Sequence, residues 1–105
     1  MNDRRLRRLV QGFRDGILEG RSSEFMCFAV CAPLQAYLSL CGVETTLVEA
    51  SFAEVNHVWL QLPDGRILDP TADQFGLDAV YLGGLPLAYS LGRARLRADV
   101  AEGSV

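Results

Sequence analysis

Cys27, His57 and Asp69 are the side chains of this sequence whose types and chain order could do covalent chemistry together. A thiol attacks a carbonyl as its thiolate, so it needs a lowered pKa, a base to take its proton, and a third group to hold the imidazole in one tautomer. Attack on an amide carbonyl would then give a thioester that water or an amine resolves. His57 is the one histidine of the chain, so the base has a single candidate. Cys31 is the alternative nucleophile. Each residue also has a plain structural role. Cys27, Cys31, Leu34, Leu38 and Cys41 fall on one helical stripe and could all be small core residues, while an aspartate before Pro70 often initiates a turn.

Two helices and a hairpin must position these groups. Leu6, Leu9, Val10, Phe13 and Ile17 recur at helical spacing and predict an amphipathic helix within residues 1–19, capped by Asp3 and ended between Gly16 and Gly20. Its solvated face would carry Arg4, Arg5, Arg7, Arg8 and Arg14. Ser22 or Ser23 can cap a second helix. From Phe25 to Cys41 the chain is apolar on nearly every face, which predicts a buried core helix, within residues 24–41, that carries the nucleophile. Near the helix start, unpaired N–H groups and the helix dipole favour a thiolate at Cys27 and could receive an oxyanion. Pro33 predicts either a kink or late winding, since an interior proline costs about 3 kcal/mol. Winding that began near Ala32 would favour Cys31.

Beyond Gly42, residues 43–75 read as a sheet. Thr45–Ala50 predicts a strand, Ser51–Glu54 a polar loop, and Asn56–Leu62 a second strand with Val58, Leu60 and Leu62 on one face and His57, Trp59 and Gln61 on the other. Pro63-Asp64-Gly65 suits a three-residue loop with Gly65 left-handed, returning Arg66–Asp69 antiparallel. With Leu62 facing Arg66, Trp59 faces Asp69, and Asp69 lies on the side of His57. A two-residue loop would set Asp69 opposite Leu60, on the wrong face. Residues 76–105 stay unassigned: Tyr81 could end a short strand, Leu85–Val100 could hold a strand or short helix, and the last five residues read as loose.

With 105 residues, 50% of them apolar and 22% charged, the chain reads as a single α+β domain spanning residues 1–105. The N-terminal arginines come without a zinc-finger or RNA-binding signature, which argues against a nucleic-acid partner. No run of ~18 apolar residues predicts a membrane span, and the acid-containing first helix is unlike a signal peptide. Three cysteines and one histidine lack metal-ligand spacing, so neither metal nor cofactor is expected, and free thiols fit a cytoplasmic protein.

The run from Asn56 to Phe75, with its histidine, an aromatic two places on, a hairpin, and Asp69-Pro70-Thr71, resembles the histidine-and-aspartate block of small bacterial transglutaminase-like cysteine hydrolases. Cys27-Phe-Ala-Val-Cys31 resembles their nucleophile segment, although Phe25-Met26 stands where a small polar residue is expected. The resemblance covers about Ser23 to Phe75. It implies a papain-like or transglutaminase-like core of an N-terminal helix and a buried central helix on a small antiparallel sheet. By it, Cys27 is the nucleophile, His57 the base, Asp69 the orienter, and a peptide or protein the substrate. Ser22, Ser23, Trp59 and Gln74 are the candidates for oxyanion or substrate contacts. Cys27-Phe28 and Gly42–Leu47 also resemble the arylamine N-acetyltransferases, which are much larger. A relative that keeps the fold as an inactive binding module is the non-enzymatic alternative.

Overall fold

In the computed structural model, which describes residues 1–52, 55–86, 89 and 93–96, two helices pack on one antiparallel sheet. Helix α1 spans Asp3–Leu18 and α2 spans Cys27–Leu40. The strands are β1 (Thr46–Phe52), β2 (Val55–Gln61), β3 (Ile67–Asp69), β4 (Tyr81–Gly83) and β5 (Arg93–Leu96). A 3-10 turn, Ala72–Phe75, follows β3. The spatial order β4-β3-β2-β1-β5 makes β2, the strand of His57, central. Both edge strands belong to the segment that the sequence leaves unassigned, and Tyr81 begins β4 rather than ending a strand. Residues 53–54 and 101–105 lie outside the described residues.

Helix α1 forms as its periodicity predicts, with two corrections. Its cap is Asn2 rather than Asp3: the Asn2 side chain accepts the Arg5 N–H at 2.8 Å, which satisfies one of the first-turn donors. Arg14 is not on the solvated face. It is buried and its guanidinium donates to Asp73 at 3.0 Å, tying α1 to the 3-10 turn. Leu6 and Val10 from the apolar stripe join the core.

Helix α2 starts at Cys27, capped by neither Ser22 nor Ser23. Met26 is the N-cap and offers no side-chain bond, Ser22 Oγ accepts from the Glu24 N–H, and Ser23 Oγ donates to Asp73. Winding does not wait for Pro33, which lies inside the helix. Both Pro33 and Ala29, whose carbonyl the proline leaves without its helical donor, are on the exposed side, so water can serve that carbonyl. Nor is α2 buried all round. Cys31, Leu34 and Leu38 pack with the sheet residues and Val30 is buried, while Phe28, Tyr37 and Leu40 are exposed.

The hairpin between β2 and β3 has the expected register. Leu60 pairs with Leu68 and Gln61 with Ile67. Leu62 N–H donates to Arg66 O at 2.8 Å, and Gly65 N–H to Leu62 O at 2.9 Å, with Gly65 at φ 92°. A left-handed angle costs glycine nothing and any side chain about 1 kcal/mol or more. Strand β1 runs past Ala50 to Phe52, so Ser51 and Phe52 belong to the ladder rather than to a loop, pairing with Asn56 and Val55.

The alternation along β2 divides the protein into two cores. Val58, Leu60 and Leu62 meet Leu34 and Leu38 of α2 and Leu6 and Val10 of α1. On the opposite face Trp59 packs with Val48, Ala50, Ile67 and Tyr89. Among the described residues no helix is long and apolar enough to cross a membrane.

Candidate active site

His57 and Asp69 are both completely buried on the second face. The His57 Nε2–H donates to Asp69 Oδ2 at 2.5 Å, as the register requires. The carboxylate has further donors. Tyr89 O–H donates to the same oxygen, and Asp69 Oδ1 accepts the Thr71 N–H at 2.9 Å and the Thr71 hydroxyl at 3.4 Å. A buried carboxylate is tolerable when its lone pairs are taken this way. Aromatic rings enclose the imidazole: Phe75 lies 4.6 Å away edge-on, Tyr89 5.5 Å and Trp59 5.8 Å, measured between ring centroids.

The nucleophile candidates belong to the core on the other side of β2, beside the stretch of β2 that β3 is too short to pair. Leu62 and Leu60 direct their backbone groups toward β3. Val58 continues that edge, but β3 ends at Asp69, and the next partner would be Pro70, which has no N–H to give. Thiols occupy the place. Cys31 Sγ donates to Val58 O at 3.6 Å, and the Val58 backbone bonds the sulfur of Cys27. Cys27 also lies near enough to His57 for the thiol and the imidazole to shift each other's pKa. Since Nε2 is given to Asp69, Nδ1 is the nitrogen left for the thiol.

The two cysteines, one turn apart, are driven in opposite directions. At Cys27 burial pushes the thiol up, but His57, the backbone of Val58, the imidazolium charge and the Phe28 backbone at the helix start outweigh it, so the pKa lies below the ordinary value. Burial, with the charges of Asp69 and Cys27 added, raises Cys31 well above its ordinary value. Cys27 keeps 9% exposure and Cys31 has none. Cys41, at the far end of α2, is exposed and away from the group. His57 is lowered by burial but raised more by Asp69 and by Cys27, and stands at about 9.

The four accessory candidates separate. Gln74 is at the site: its side-chain N–H₂ lies 3.4 Å from His57 Nδ1 and donates to Thr71 Oγ1 at 3.1 Å. Trp59 is buried against Val48 and Tyr89 and supports the imidazole from within, so it is no surface for substrate. Ser23 is buried and spent on Asp73, while Ser22 stays exposed at the wall of a neighbouring groove. Sequence reasoning missed Tyr89, Thr71 and Phe75. The Asp69-Pro70-Thr71 step could have revealed Thr71, because an aspartate commonly bonds the backbone two residues on. Nothing local marks Tyr89, whose role comes from a chain return 20 residues later. No cluster of metal-ligating side chains occurs among the described residues.

In comparisons with known proteins the chain matches no family model, no curated protein and no solved structure.

Proposed function

We propose that this protein performs thiol-dependent acyl chemistry on an amide bond, in the manner of papain-like and transglutaminase-like enzymes, with Cys27 as nucleophile, His57 as base and Asp69 as orienter. The observation that carries the reading is the buried Asp69, hydrogen-bonded to His57 Nε2 at 2.5 Å, with the same imidazole lowering the pKa of the Cys27 thiol. The thiolate attacks the amide carbon, and the imidazolium at Nδ1 then gives its proton to the departing amine. The resulting thioester yields to water or to a second amine, with His57 taking the proton of the attacking group. Gln74, beside Nδ1, supports a role as a donor to the substrate oxygen. Peptide cleavage, glutamine deamidation and transamidation share this intermediate. Free Cys27, Cys31 and Cys41 fit a reducing, cytoplasmic setting.

Acyl capture tests the reading. Brief exposure to p-nitrophenyl acetate at pH 6 should place an acetyl group on Cys27, seen by peptide mass mapping, and His57→Ala should suppress it. Acetylation confined to the exposed Cys41, or equal at Cys27 in parent and variant, would refute the assignment.

A further inference from the structure

Beside the site runs a groove of about 360 Å³, and one of its walls is an anomaly of the fold. Phe25, two residues before Cys27, is 80% exposed and has φ 62°. Each fact is unfavourable to folding. A ring left in water forgoes its burial, and the left-handed angle places a Cβ against the following carbonyl, a strain that glycine escapes. Both occur at a position where glycine would remove them together. Its lining also contains Gln74 and Phe75, both of which touch His57, so the groove adjoins the imidazole through these two side chains.

The charges of the groove are largely engaged from within. Arg14 and Ser23 both bond Asp73, and Arg21 donates to the carbonyls of Leu18 and Ile17 at the end of α1. Beside the polar side chains of Ser22, Glu24 and Gln74, the groove offers a ligand the aromatic surface of Phe25 and Phe75. Resting on the reading of Cys27 as nucleophile, we infer that this groove receives a large apolar side chain, aromatic by preference, on the substrate residue next to the attacked carbonyl, and that Phe25 is the wall that selects it. The volume suits one such side chain with its backbone. A phenyl group facing Phe25 and Phe75 would gain both burial and ring contacts.

The test uses the intact protein, its Phe25→Gly and Phe25→Tyr variants, and three alkylating agents: iodoacetamide, N-acetyl-glycyl chloromethyl ketone and N-acetyl-phenylalanyl chloromethyl ketone. In each chloromethyl ketone the Cys27 thiolate displaces chloride, and mass mapping locates the adduct. The parent should react faster with the phenylalanyl than with the glycyl reagent by roughly tenfold or more. Phe25→Gly should bring that ratio near one while raising Tm, and Phe25→Tyr should keep it. A parent ratio near one, a ratio unchanged in Phe25→Gly, or a Tm lowered by the glycine would each overturn the inference. If iodoacetamide still labels Cys27 first at pH 6, the nucleophile assignment survives that failure. If it does not, the assignment itself has failed and the inference falls with it.

Discussion

The two faces of the sheet are equally dry and are held by different forces. Toward the helices Leu34, Leu38, Leu60 and Leu68 are all fully buried, and their contribution is non-directional, about 1.5–3 kcal/mol for each side chain. On the other face the same strand buries His57 against Asp69 inside an aromatic cluster, and there the hydrogen bonds are directed ones whose loss strands a partner. One small fold thus divides its tasks: packing sets where β2 lies, and the polar face uses that fixed strand to hold an imidazole against a carboxylate. Mutations should therefore separate the faces by what they change as well as by how much.

Asp69→Ala should be the most damaging, costing about 3–5 kcal/mol because it leaves His57 and Tyr89 buried without their acceptor. It should also move the pH profile of Cys27 alkylation toward the ordinary thiol range. Leu60→Ala should cost a comparable amount, about 2–5 kcal/mol, yet leave that profile where it was. Urea unfolding and alkylation of the same samples check both. If the leucine variant shifted the profile as far as the aspartate variant does, the division between the faces would be false.

The next effect depends on pH. The unfolded His57 titrates near ~6.5, and in the fold it stands at about 9. Between these values the folded chain holds a proton that the unfolded chain has released, so stability falls as pH rises. The stabilisation is complete below the unfolded pKa and is lost as pH passes the folded one. The span amounts to something on the order of 3 kcal/mol. Relative to His57→Gln, the parent should lose that advantage from pH 6.5 to 9, measured by urea unfolding. A flat difference would show that the imidazole is buried neutral.

Smallest is the effect of Tyr89→Phe, about 1.5 kcal/mol, the value of a hydrogen bond to a charged group. It sharpens the comparison, because the ring and its packing on Trp59 stay while the donor to Asp69 goes. With one donor fewer, the carboxylate should hold the His57 proton more tightly and raise its pKa, which NMR titration of the single histidine would read. An unchanged or lowered value would make Tyr89 a packing residue only.

How much of the fold and the site is legible in the sequence depends on the range over which each feature is determined. The helical stripe of α1, the alternation of β2 and the Pro63-Asp64-Gly65 turn are local, and each fixes its geometry within a few residues. The hairpin register comes from them and places Asp69 beside His57. Tyr89 and the edge strands β4 and β5 are not legible, because their places are set by long-range pairing such as Val48 with Leu96. The start of α2 escapes sequence reasoning for a related reason. Ser23 is a good cap by type, but tertiary structure gives its hydroxyl to Asp73, and nothing local shows that Pro33 faces solvent. Arg14 reads as one more surface charge until the 3-10 turn brings Asp73 to it.

His57, oriented by Asp69, is proposed to hold Cys27 as a reactive thiolate. The most direct test is the rate of Cys27 carboxamidomethylation by iodoacetamide against pH, site by site, in the parent and in His57→Ala. Cys27 should be labelled ahead of Cys31 and Cys41, with a midpoint well below the ordinary ~8.5 of a free thiol, and His57→Ala should raise the midpoint without fully restoring that value, since the helix start and Val58 still favour the charged sulfur. Superimposable profiles in the two proteins, both near the free-thiol value, would contradict it and leave Cys27 a core residue.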